Sequence, residues 1–157
     1  MPSAHKHHRQ AQFDRYLIEE IHEASPDAIL VVDEEGVVVF HNGNFFKVWK
    51  VSPDDVLDAG DTDLVGRHDS VMLSRALEKI KDPDEFLRSV NALYEDPKIT
   101  DFCEIELVDG RTLERHSTSL WDTEHQYLGR VWYFRDISAR KNLVPSRFVW
   151  VAVVTGA

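Results

Sequence analysis

From Phe13 onward the apolar residues recur at helical spacing. Phe13, Leu17, Ile21 and Ala24 form one stripe with Tyr16 alongside, while Glu19, Glu20 and Glu23 fall elsewhere. Residues 13–25 therefore predict an amphipathic helix whose stripe must be buried, on the domain's own sheet or on a second copy. The polar residues 1–12 before it read as a disordered N-terminal tail. Ser25-Pro26 ends the helix, because the residue before a proline leaves the α region and proline donates no backbone hydrogen. The period then drops to that of strands. Ala28 to Asp33 and Val37 to Phe40 are β-branched runs joined by Asp33-Glu34-Glu35-Gly36, a turn with glycine where φ can be positive, and they predict a hairpin.

Asn42 and Asn44 follow as cap candidates for a short helix carrying Phe45, Phe46, Val48 and Trp49. Two further helices are predicted over Leu64 to Lys81 and Asp84 to Glu95, split at Asp82-Pro83 and stopped at Asp96-Pro97. The rest alternates with a period of two. Phe102 to Val108 places Cys103, Ile105 and Leu107 on one face, and Asp109-Gly110 turns the chain into Thr112 to Trp121. If Leu113 faces the core, so do Arg115 and Ser117, two polar groups that need partners. They mark a polar contact inside a cavity, unless a neighbouring carboxylate simply satisfies Arg115. Tyr127 to Asp136 is the last strand, with Arg130, Trp132 and Phe134 on one face and Val131, Tyr133 and Arg135 on the other. Bulk on both faces predicts a central strand covered on both sides. At Asp136 it meets Ile137, Ser138 and the cations Arg140 and Lys141, the pattern of a helix start, so the junction is an output point.

Composition narrows the chemistry. At 157 residues the chain forms one domain, and its 43% apolar and 29% charged content is that of a globular protein. A net charge of −10 argues against a nucleic-acid surface. The single cysteine excludes an internal disulfide. With no signal-peptide core and no run approaching the roughly 20 apolar residues of a membrane span, a soluble cytoplasmic chain without membrane contact is expected. Asp54, Asp55, Asp58, Asp61 and Asp63 lack the glycine and closing glutamate of a calcium loop and read as a solvated acidic segment. His5, His7 and His8 cluster in the polar tail, and His22, His41, His116 and His125 are scattered, so no metal site is assigned. Neither GxSxG nor a glycine-rich phosphate loop occurs, and no enzymatic activity is inferred.

Three segments in order, SPDAILVVDEEGVVVFHN, NGNFFKVW and GRVWYFRDISARK, resemble a PAS domain spanning residues 26–141. The middle stretch is similar to PAS domains upstream of bacterial diguanylate cyclases and sensor histidine kinases. The resemblance implies an α+β fold with a five-stranded antiparallel sheet of order 2-1-5-4-3, helices over one face and a cavity between. It also implies a sensory, regulatory role in signal transduction, in a two-component system for example. On that reading, a small ligand in a cavity formed by Phe45, Trp49, Phe86, Val90, Cys103, Ile105, Arg115, Ser117, Trp132 and Phe134 is expected to bias the sheet. Asp136, Ile137, Ser138 and Arg140 are expected to relay the change to a C-terminal effector. The alternative is a ligand-free module that dimerises through Phe13, Leu17 and Ile21. The cofactor is unknown. A flavin adduct is disfavoured because Cys103 lies on a strand and the NCRFLQ-type motif is absent. Haem is disfavoured because Asp84 to Glu95 holds no histidine and His68 lies one element too early. The C-terminal tail, residues 142–157, departs from the pattern: Pro145 opposes a continuous helix, and RFVWVAVV reads as an added strand or a product of truncation.

Overall fold

The computed structural model describes residues 2–57 and 63–143, with side chains described for residues 9–57 and 63–142. The first helix, α1, runs Pro2–Ala24. It thus begins well before Phe13, and the stretch read as a disordered tail is helical in its backbone; its early residues contain good helix formers and no internal proline or glycine to stop them. The chain leaves α1 at Ser25-Pro26 and enters β1, Ala28–Asp33, which pairs antiparallel with β2, Val38–His41. The turn between them is held by Asp33, whose Oδ1 accepts hydrogen bonds from the backbone N–H of Glu35 and Val37 at 2.9 and 3.0 Å. Gly36, at φ +80°, supplies the left-handed step.

Three α-helices follow among the described residues: α2, Asn44–Trp49; α3, Ser70–Leu77; and α4, Pro83–Glu95. The helix predicted over Leu64 to Lys81 is therefore confined to its middle. Its two ends form backbone hydrogen bonds with the sheet instead. Gly66 N–H donates to the Val38 carbonyl and Val38 N–H to that of Arg67. At the other end Lys81 N–H donates to the Glu106 carbonyl, and Val108 N–H to that of Lys79. Asp82 caps α4, its side chain accepting from Glu85 N–H at 3.1 Å, and Pro83 occupies the first turn where no N–H is needed.

The chain closes with β3, Asp101–Glu106; β4, Thr112–Trp121; β5, Tyr127–Asp136; and a short α5, Ser138–Leu143. The five strands form one antiparallel sheet in the order β2-β1-β5-β4-β3. Central β5 pairs with β1 from Ala28↔Phe134 to Asp33↔Gly129, and with β4 from Leu113↔Asp136 to Trp121↔Tyr127. The core lies between the helices and one face of the sheet, where Val32, Val38, Trp49, Leu64, Leu107 and Leu113 are fully buried. The opposite face is more open than the bulk on β5 predicted. Val131 is buried there, but Tyr133 is half-buried and Arg135 is exposed. No described helix is long and apolar enough to cross a membrane. Asp58 and Asp61 of the acidic segment and the RFVWVAVV segment lie outside the described residues, as do the side chains of His5, His7 and His8.

Candidate functional site

The inner faces of β1 and β5 and the helices α2, α3 and α4 line an apolar, partly open cavity of ≈ 50 Å³. Six of the residues expected to line a cavity meet there: Phe45 and Trp49 from α2, Phe86 and Val90 from α4, Trp132 and Phe134 from β5. Their spacing explains the convergence. Positions four apart share a helix face, and positions two apart share a strand face. The aromatic rings interlock edge to face, Trp49 against Phe134 with centroids 4.9 Å apart and Trp49 against Phe86 at 6.3 Å.

The polar edge of this cavity was not expected from the sequence. Tyr94 donates its hydroxyl hydrogen to Asp69 Oδ2 and accepts a hydrogen bond from Trp132 Nε1 at 3.3 Å. Burial pushes the Tyr94 phenol far above its ordinary range, and the adjacent Asp69 charge adds to the shift. Asp69 stands at the entrance to α3, a segment read as mid-helix. Only its long-range contact with α4 reveals it.

Cys103, Ile105 and Arg115 do not reach that cavity. They line a second, groove-like space of ≈ 450 Å³ between α4 and β3, with Phe86 contributing to both. Arg115 is 1% exposed, and its Nε donates to Asp101 Oδ2 at 2.6 Å. A neighbouring carboxylate thus does satisfy this part of the guanidinium. The Arg115 Cζ also lies 5.1 Å from the Phe86 ring centroid and 5.6 Å from that of Trp132, within cation–π range. Burial pushes the Cys103 thiol up, with Arg115 opposing the shift.

Ser117 lines neither space. Its hydroxyl donates to the Val131 carbonyl at 3.0 Å and accepts from Arg130 Nη1 at 3.1 Å. Arg130, 0% exposed, is the buried group that its alternation with Trp132 and Phe134 made legible but that no role was assigned to. Its Nη2 donates to the carbonyls of Leu93, near the end of α4, and Ile99, in the loop to β3, at 3.0 and 3.1 Å.

At the junction, Asp136 Oδ1 accepts from Ser138 N–H at 2.9 Å, Ser138 Oγ accepts from Thr112 N–H at 3.0 Å, and Ile137 is buried. Burial raises the Asp136 carboxyl, but the Ser138 hydrogen bonds and the Arg111 charge outweigh it and hold it below its ordinary value. Arg140 Nη2 reaches Glu114 on β4 at 3.1 Å, an exposed pair. The helical stripe Phe13, Leu17 and Ile21 is exposed on α1 at 61%, 47% and 59%. Asn42 caps no helix. Wholly buried, it accepts from Ile29 N–H at 3.0 Å and donates to the carbonyls of His22 and Asp27 at 2.9 and 2.7 Å, fastening the end of α1 to the start of β1. Among the described residues no group of histidine, cysteine and carboxylate side chains is arranged to hold a metal ion.

The same architecture recurs in solved structures of low sequence identity. The PAS domain of Bordetella pertussis BvgS aligns with a TM-score of 0.58 and 16% identity, over 83% of this chain and 91% of that one. The sensor region of a sensor histidine kinase aligns at 0.53 and 18%, over 73% of this chain but 40% of the other. A PAS domain of an HTR-like protein from Haloarcula marismortui aligns at 0.53 and 17%, over 84% and 98%. No curated protein matches the sequence significantly. The family model described as the PAS fold matches residues 22–142, from the last turn of α1 into α5. With that match covering most of the chain and the sheet order β2-β1-β5-β4-β3 in place, the chain belongs to the PAS fold family.

Proposed function

We propose that the chain is a sensory domain of a signalling protein, taking a compact, largely apolar molecule into the cavity between helices and sheet. The observation that carries this reading is a shared strand. Trp132 and Phe134 of β5 wall the cavity, and the same strand ends in Asp136, from which α5 departs. A molecule that displaces those rings moves the strand that positions Ile137, Ser138 and Arg140. Asp69 and Tyr94 give it one polar anchor. At ≈ 50 Å³ the cavity is far smaller than the ~300–1,000 Å³ of sites for drug-sized ligands, so the occupant has few heavy atoms or enters by opening the helices. The likeness to the sensor region of a sensor histidine kinase supports a kinase-type effector after α5.

Native mass spectrometry of the purified chain tests the cavity. The expected result is a retained small molecule that is lost in Ala76→Trp, with hydrogen exchange in α5 changing when the molecule is removed. A chain of bare mass, or α5 exchange that is the same with and without a retained molecule, would sink the proposal. The exposed stripe on α1 favours a second reading, a ligand-free dimerisation module. A bare-mass dimer is its expected outcome.

A further inference from the structure

We infer that the edge of β3 is a docking site for an extended peptide, which adds to the sheet as a sixth strand within the groove beside α4. β3 ends the sheet, paired with β4 on one side only. Its other edge is partly occupied already. Lys79–Lys81 runs antiparallel along Glu106–Val108, with Ile80 opposite Leu107, Lys81 N–H bonded to the Glu106 carbonyl and Val108 N–H to that of Lys79. At Asp82-Pro83 the chain turns away into α4, and the pairing stops.

The consequence follows from the alternation of an antiparallel ladder. Glu106 directs its backbone groups away from β4, so Glu104 and Phe102, two and four residues earlier, do the same. Both residues are exposed, and among the described residues no backbone hydrogen bond outside the β3–β4 ladder reaches them. The groove beside that edge measures ≈ 450 Å³. A strand continuing in line with Lys79–Lys81 meets two unpaired N–H and two unpaired carbonyl groups, the arrangement that recruits an added strand.

Side-chain chemistry narrows the peptide. Arg115 Nη1 is buried and has no hydrogen-bond partner, although Nε of the same guanidinium is bonded to Asp101. An orphaned buried donor is costly, and an oxygen acceptor relieves it. Because Asp101 already offsets the charge, and Asp82 and Glu85 add negative charge along the groove, a neutral amide fits better than another carboxylate. Phe86 and Ile105 offer apolar contact on the same face. The peptide is therefore one with Asn or Gln at one inward position and an aliphatic residue two positions away.

The test is an NMR titration of the full chain with an end-blocked hexapeptide that alternates threonine with inward glutamine and valine. Binding with new exchange protection at the Phe102 and Glu104 amides is the expected result. Methylating the peptide amide nitrogens that face β3 should weaken binding about tenfold for each hydrogen bond lost. Glu104→Pro removes an edge donor without touching the β4 ladder, since proline is tolerated on sheet edges, and it should weaken binding while folding is retained. Protection confined to other residues, equal affinity for the methylated peptide, or equal affinity for N-methylacetamide would overturn the strand reading. Because the apolar cavity is monitored separately through the Phe45 signals, which lie in the cavity and not in the groove, failure here is distinguishable from failure of the sensory proposal.

Discussion

Two buried arginines and one buried serine show how far a single position can be read. The alternation around Leu113 placed Arg115 and Ser117 inward, and both are buried. What alternation does not encode is which neighbour each one meets. Asp101 reaches Arg115 from β3 and Arg130 reaches Ser117 from β5, contacts set by strand register rather than by local sequence. Cys103 follows the same logic. With its thiol pushed up by burial, it is poorly ionised near neutrality. Iodoacetamide should modify it far more slowly than free cysteine at pH 8, and reach the free-thiol rate in denaturant. Equal rates in the native state would contradict the burial. Asp136 yields a pH prediction. Its depressed carboxyl contributes stability that is fully present above the ordinary value of 3.8 and is lost as pH falls through the lower native value. Wild type should therefore melt above Asp136→Asn at neutral pH, and the gap should close in acid; thermal melts across pH check this.

Elements were legible where local chemistry decides them. Asp33 with Gly36, Asp109-Gly110 and Asp82-Pro83 each fix a boundary, and strands and the long helix α4 appear between them. The segment from Leu64 to Lys81 shows the opposite case. Its apolar residues recur at helical spacing from Met72 to Ile80, yet only Ser70–Leu77 is helix, because backbone groups at both ends of the segment bond to β2 and to the end of β3. Long-range pairing overrides a weak local preference. Asn42 was misread for a related reason: asparagine before a helix is ordinarily a cap, but here its amide joins two elements instead. Replacing it by alanine leaves Ile29 N–H and two carbonyls without their partner, so Asn42→Ala should cost about 1–3 kcal/mol in chemical denaturation. At Gly129 an added Cβ would sit well inside van der Waals contact with the Val32 carbonyl oxygen. Gly129→Ala should accordingly lower the melting temperature by separating β1 from β5, whereas Gly110→Ala, with open space around it, should disturb only its own turn.

For the molecule as a whole, the sheet order and one-sided helical layer were implied by the PAS resemblance that the ordered segments carry, but the division of the expected site into a cavity and a groove was not. Phe86 stands between the two, and the sequence holds no mark of which side each neighbour falls on. The α1 stripe presents the clearest large-scale expectation. In the proposed dimer Phe13, Leu17 and Ile21 are the contact, so Leu17→Glu with Ile21→Glu should shift the mass measured by light scattering from dimer to monomer without loss of strand content. An unchanged mass would assign the stripe another role. A final consequence concerns where the chain comes in and goes out. Ala28 lies opposite Phe134, and Arg135 Nε grips Asp27 Oδ1 at 2.6 Å, so the two helices flanking the sheet are rooted at one common end. In the sensory reading proposed above, a twist applied to either helix would be felt first at that shared fulcrum.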